Sequence, residues 1–320
     1  MTTTPDAVHP KTADAGKLVV VGVLSTYALF VLLLVLLLEH RPGSTPEAAT
    51  TTARPTFPSP PRGAAVFSRE AGPNVLALGV VPRNGKLVVQ ASVVGPDGVG
   101  VSGIQTTFTT QGAAATGEPC GSGCYRATLR AAGRPRTVEI VTEGQMAARW
   151  RLALPAAWPP KDAASMIAEA RRTWRALRSL AFTERLASDE AHVVTSTWQV
   201  QAPDRLAYQI DRGYSAVVVG KHRWDKAPGG PWKRSPQLPI TQPTPPWVSA
   251  TDAHVVGSAT LRGRSAWKVS FFDPQTPAWF DVVLDRETLR ALDLRMNTTA
   301  HFMHEVYGSF NTAPAIRPPR

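Results

Sequence analysis

The longest apolar pattern in the chain is at residues 18–38, LVVVGVLSTYALFVLLLVLLL, a run without a charge that Lys17 closes on one side and Glu39, His40 and Arg41 on the other. At about 1.5 Å per residue it reaches roughly 30 Å, the hydrocarbon thickness of a bilayer. It predicts one N-terminal transmembrane helix over 18–38, preceded by a short cytoplasmic tail, 1–17. A cleaved leader would have a shorter apolar core followed by a small-residue site, and Glu39-His40-Arg41-Pro42 is no such site. Lys11 and Lys17 precede the run while Arg41, Arg54 and Arg62 follow it. Flanking charge therefore does not orient the helix.

Residues 39–65 carry no hydrophobic period. Pro, Thr, Ser and Ala dominate, the composition of a disordered, semi-extended linker. From 66 to 154 a period of two sets in. Short strands are predicted at 75–78, 87–94, 105–110, 125–129, 137–142 and 147–152, with turn chemistry at Pro82-Arg83-Asn84-Gly85 and Gly95-Pro96-Asp97-Gly98. This spacing predicts an all-β sandwich. After the stiff hinge at 155–160, PAAWPP, the residues Met166, Ile167, Ala170, Trp174, Leu177 and Ala181 recur at helical spacing. They predict an amphipathic helix over 162–180, with Arg171, Arg172, Arg175 and Arg178 on its other face. Alternation returns from Ala191 onward in nine segments, among them 192–201, 206–211, 253–261, 265–273, 278–285 and 301–310. One helix followed by a long antiparallel meander predicts a second domain over 160–318, an α+β half-barrel in which a curved antiparallel sheet wraps on the helix. The Pro-rich stretch from Pro236 to Trp247 cannot join a central strand and is expected to lie across the rim as a lid.

Composition changes this picture in two places. The chain of 320 residues has a formal net charge of +11, spread along its length without a block of like charges. That argues against a nucleic-acid partner, and it reads either as attraction to anionic lipid headgroups or as plain composition bias toward Ala, Arg, Pro and Gly. Its two cysteines, Cys120 and Cys124, have three residues between them and no histidine lies between His40 and His192. An oxidised loop staple is the expected state, which puts everything after the helix in an extracytoplasmic compartment.

Candidate chemistry is sparse. Tryptophans crowd the second domain; Trp198, Trp224, Trp267 and Trp279, with Trp174 from the helix, are expected either to line an apolar ligand cavity between the helix and the concave face of the sheet or to fill the core. His301-Phe302-Met303-His304-Glu305 sets His301 and Met303 on one strand face, a soft pair suited to copper or a plain packing face. Asp281 and Asp285 share a strand face and are expected as surface charges. No nucleophile elbow, phosphate loop or dinucleotide fingerprint occurs. The expectation is no enzyme and no cofactor, and the chain names no protein partner.

Two resemblances extend the reading. Residues 75–152, with PCGSGCYRATL at 119–129, resemble the periplasmic Ig-like module of CopD-type copper-resistance membrane proteins. Residues 162–318, through the helix, WQVQAPDRLAY at 198–208, VVVGKHRW at 217–224, LDRETLRAL at 284–292 and YGSFN at 307–311, resemble the LolA/LppX-like lipoprotein-carrier fold. The second resemblance implies binding of acyl chains or other lipids rather than catalysis. The expected function is a membrane-anchored extracytoplasmic binding or carrier protein for a lipid or other apolar ligand. The alternatives are an accessory protein in envelope copper handling and a structural or sensory module without a small ligand.

Overall fold

The computed structural model describes residues 58–320 except 72–73, 96–99, 131–135, 145–146, 158, 188–192, 212 and 299–300. The expected tail, the transmembrane helix at 18–38 and most of the linker lie outside the described residues. No helix among those described is long and apolar enough to cross a membrane. The strands, in chain order, begin with β1 (Ala65–Ala71), β2 (Asn74–Arg83), β3 (Lys86–Val94), β4 (Thr106–Thr110), β5 (Ala113–Thr116), β6 (Glu118–Gly121), β7 (Cys124–Arg130), β8 (Thr137–Thr142) and β9 (Ala148–Ala153). After β10 (Lys161–Asp162) comes one helix, α1 (Ala164–Arg175), then β11 (Ser179–Ala187), β12 (Val193–Gln201), β13 (Arg205–Ile210), β14 (Ser215–Val219), β15 (His222–Lys226) and β16 (Trp232–Pro236). The chain ends with β17 (Thr251–Leu261), β18 (Arg264–Asp273), β19 (Ala278–Asp285), β20 (Ala291–Thr298) and β21 (His301–Gly308).

The first nine strands make a sandwich. A five-stranded sheet, ordered β1-β2-β3-β7-β6, faces a four-stranded one, β5-β4-β8-β9. Alternation along β7 and β8 turns Tyr125, Ala127, Leu129, Val138 and Ile140 inward, onto a core with Leu78, Leu87, Val89 and Phe108. Cys120 and Cys124 form a disulfide across the β6–β7 turn. Beside it two backbone segments cross in contact. Gly123 has φ +64, and a Cβ there would stand 2.3 Å from the Val93 carbonyl oxygen and 2.6 Å from Gly100 Cα. Val93 N–H donates to the Gly123 carbonyl at 2.8 Å, and Val101 N–H to the Val93 carbonyl at 2.9 Å, so neither segment can give way freely. Gly123→Ala is expected to cost about 2–4 kcal/mol, left-handed strain and overpacking together, read as a lower urea midpoint at unchanged m-value.

The remaining strands form a twelve-stranded antiparallel sheet, ordered β10-β17-β18-β19-β20-β21-β11-β12-β13-β14-β15-β16. The β-rich half-barrel with a single helix among the described residues agrees with the expected class, but the helix is shorter than its apolar pattern. It ends at Arg175, and the chain turns through Ala176–Arg178 into β11. Ser179-Leu180-Ala181-Phe182-Thr183-Glu184 alternates with a strand period that the helical spacing of Leu177 and Ala181 concealed. Buried Ile167, Ala170 and Trp174 set α1 against one face of the sheet.

The sandwich covers part of the other face. β1 is an edge strand, and its outward N–H groups are taken up rather than left open: Val66 N–H donates to Ser270 Oγ at 3.2 Å and Ser68 N–H to Asp281 Oδ2 at 2.7 Å. Val66, Ala77, Val94, Phe272 and Trp279 form a dry cluster at the same junction. Residues 58–65, expected within the linker, pack here too. Pro58 and Ser59 carbonyls accept from Trp279 Nε1 and Gln90 Nε2, and Ala64 and Ala65 are buried. Sandwich and half-barrel thus lie in one compact unit, Arg54–Arg320. Asp281, expected at the surface, is enclosed in that junction, and burial pushes its carboxyl up to about 6 against the pull of Ser68 N–H and of Arg69, Arg295 and Lys268. Asp285 is also buried; its carboxylate holds the turn at Glu287 and Thr288 and pairs with Arg264 at 3.1 Å.

A cleft on the helix-free face of the sheet

Strand registry decides which side chains meet on each face. On the helix side, Phe182, Trp198 and Tyr208 are cross-strand neighbours on β11, β12 and β13, and Tyr307 on β21 joins them from the other side of β11. Their rings continue into Trp174, Trp247, Phe271 and Phe280, with successive centroids 4.6–6.2 Å apart. The space expected to form a cavity between helix and sheet is therefore filled with rings. Trp247, at the end of the Pro-rich stretch, occupies its centre and is 1% exposed. That stretch acts as a plug on the helix side rather than as an open lid.

The five tryptophans expected at one cavity are dispersed. Trp174 and Trp198 belong to this ring chain. Trp279 is fully buried on the opposite face, beneath the sandwich. Trp224 lies near the sheet edge under the Arg234 guanidinium, 5.8 Å from its ring centroid, and Trp267 lies under Arg286 at 3.7 Å. Met303 is buried, paired across the sheet with Leu186 and Met296. The side chain of His301 lies outside the described residues. No group of three His, Cys, Asp or Glu among the described residues is placed to hold a metal ion.

An open cleft of about 480 Å³ does exist, on the face away from the helix. Two adjacent cross-strand rows make its floor. One row runs Gly308, Ala181, Gln199, Ala207, Val217 and the other Val306, Thr183, Thr197, Gln209, Ser215, over β21, β11, β12, β13 and β14. The first row is short and mostly apolar; the second is mostly hydroxyl and amide. Phe182, Trp198, Tyr208, Ala216 and Tyr307 also border the cleft, but their side chains alternate to the helix side, which leaves the intervening backbone on this one. Five strands at about 4.8 Å spacing give a trough roughly 20 Å long. Arg262 stands at the β21 end and Trp232 at the β14 end. Arg262 sits in a two-residue turn with Gly263, both at positive φ, the hairpin geometry that matches strand twist. Its Nη1 donates to the Tyr307 carbonyl at 2.9 Å, which fixes the exposed guanidinium over the trough without neutralising it.

Behind the cleft, on the helix side, Glu184 and Glu305 are direct cross-strand partners. Glu184 accepts from Trp198 Nε1 at 2.9 Å and Ser196 Oγ at 3.0 Å, and Glu305 accepts from the Tyr307 hydroxyl. Burial raises both carboxyls, and Glu184 beside it pushes Glu305 up to about 8. Two facing carboxyls in an apolar wall cannot both ionise cheaply, so Glu305 holds a proton at neutral pH. They lie one strand's thickness from the trough and present no oxygen to it. Neither the trough nor this pair was singled out by sequence; the available signal was the polar alternation Thr195, Thr197, Gln199 and Gln201 along β12.

No family model and no curated protein matches the chain. Similar solved structures include the lipoprotein LppX of Mycobacterium tuberculosis, at 12% identity and a TM-score of 0.40, with 48% of this chain and 97% of that one covered. LprF from Mycobacterium bovis has 11% identity and a TM-score of 0.38, over 50% of this chain and 98% of that one. A LolA superfamily protein from Nitrosomonas europaea has 8% identity and a TM-score of 0.24, over 48% and 95%.

Proposed function

We propose that the chain is a membrane-anchored, extracytoplasmic binding protein for an elongated amphiphile, a lipid being the fitting class, and that it binds rather than transforms this ligand. The trough carries the reading: an apolar row beside a polar row suits a molecule with one apolar and one polar edge. Its volume of about 480 Å³ falls within the range of small-molecule sites. Arg262 at one end favours an anionic group there. The apolar run at 18–38 supplies the anchor, and the Cys120–Cys124 disulfide suits an oxidising compartment.

Native mass spectrometry of the full chain in mild detergent tests this. A co-purified amphiphile is expected. Ala207→Trp should reduce its occupancy about tenfold or more by filling the trough, with the thermal midpoint nearly unchanged because position 207 lies on a solvent-facing row. Equal occupancy in Ala207→Trp and the natural chain would exclude the trough as the site.

A further inference from the structure

The sheet edge beyond Trp232 has a distinct surface chemistry. Between Lys221 and Ala250 the cations are Lys221, Arg223, Lys226, Lys233 and Arg234, against one acid, Asp225. Asp225 is already taken by Arg223, with Nε donating at 2.8 Å and Nη2 at 2.7 Å. Lys221, Lys233 and Arg234 are exposed. On the same hairpin Trp224 and Trp232 lie half-buried beneath Arg234 and Lys226, each cation 5.8 Å from its ring centroid. Among the described residues the exposed large hydrophobic side chains are Tyr214, 48% exposed, and Leu238, 69% exposed. Both flank this hairpin. Tyr214 immediately precedes β14, whose Ser215 pairs with Lys226, and Leu238 follows Gln237, whose N–H donates to the Lys221 carbonyl at 2.9 Å.

We propose that the β15–β16 hairpin, from Lys221 to Leu238 with Tyr214 beside it, is a docking surface for an anionic bilayer. Excess cations, indole rings and isolated apolar tips together are the composition of a membrane–water interface. A strand-adding protein partner fits poorly. β16 is the terminal strand of the sheet, but Pro231 and Pro236 bracket it and Lys233 and Arg234 charge it, which blunts an edge against pairing. The α1 arginines form a weaker candidate, because Arg172 is paired with Glu169. Docking here sets Trp232, and with it one end of the trough, at the headgroup layer, so an amphiphile passes between bilayer and trough without crossing open water. The surface shares the expected anchor with the functional reading but does not depend on occupancy of the trough.

Hydrogen exchange of the full chain in nanodiscs tests it, with discs of phosphatidylcholine alone or with about one third phosphatidylglycerol. Edge-strand amides outside the ladder exchange quickly, so covering them is visible. Anionic discs are expected to slow exchange across 221–238 about tenfold, and salt near 0.5 M to abolish the effect. Lys221→Glu, Lys233→Glu and Arg234→Glu combined should remove the protection, and Tyr214→Ser with Leu238→Ser should weaken it; none of these residues lines the trough. Equal exchange in the two discs overturns the proposal. Slowing that follows protein concentration instead of lipid charge also overturns it and indicates contact between copies. A chain that does not enter discs refutes the anchor and the docking together, whereas loss of co-purified ligand with hairpin protection retained refutes only the trough.

Discussion

Trp247→Ala is expected to destabilise the protein by about 3–5 kcal/mol, the cost of removing a buried indole from a site that collapses only in part. Trp247 sits between Trp174 and Phe271, at centroid distances of 6.2 and 5.7 Å. Its Nε1 has no hydrogen-bond partner among the described residues, so the loss is packing and apolar burial rather than a bond. The neighbouring backbone does not relax easily into the gap. Asp273 holds Val248 N–H at 2.8 Å and Ser249 Oγ at 2.7 Å, which pins the segment that delivers the ring. Urea unfolding measures the loss, and binding of a small apolar probe reports the void left on the helix side. Occupancy of the trough should be unchanged, because it lies on the other face of the sheet. If Trp247→Ala instead empties the protein of its co-purified amphiphile, the ligand sits on the helix side and the trough is wrongly assigned.

Much of the fold could be read from alternation. Residues 278–285 were expected as a strand and form β19, while 265–273 differs from β18 by a residue at one end and 206–211 from β13 by a residue at each end. Strands with competing or weak patterns were missed. β11 shares Leu177 and Ala181 with a helical stripe, and β16 carries two charges and a proline in five residues. The fate of each tryptophan was not legible, because one residue of register moves a ring from one face to the other. Trp198 turns toward the helix and Trp224 away from it for this reason alone. The trough gave little signal, since Thr183, Thr197, Gln209 and Ser215 become neighbours only through three successive pairings. Glu305 stood in a segment read for copper ligands. Its importance comes from Glu184, which lies opposite only because β21 pairs with β11 across more than a hundred residues.

Glu305→Gln is expected to stabilise the protein at neutral and alkaline pH, increasingly so as pH rises. The ordinary glutamate value is 4.5, and burial with Glu184 alongside raises the folded value to about 8. Between these the folded state retains a proton that the unfolded chain has released, so the natural protein loses stability as pH climbs from about 4.5 to about 8 and is flat above that. At about 1.4 kcal/mol per unit, the difference of 8 − 4.5 sets a ceiling near 5 kcal/mol. Glutamine keeps the shape and an acceptor for the Tyr307 hydroxyl, and it carries no charge to repel Glu184. The variant should therefore match the natural chain near pH 4 and exceed it by a few kcal/mol near pH 9. Urea midpoints taken across that range give the comparison. Two parallel pH profiles would show that Glu305 titrates alike in both states and that the carboxyl pair is not the strained element of this wall. Because Glu184 and Glu305 face the helix side, the substitution should leave trough occupancy unaltered at any pH where both proteins are folded, which separates the stability of the sheet from the binding carried on its other face.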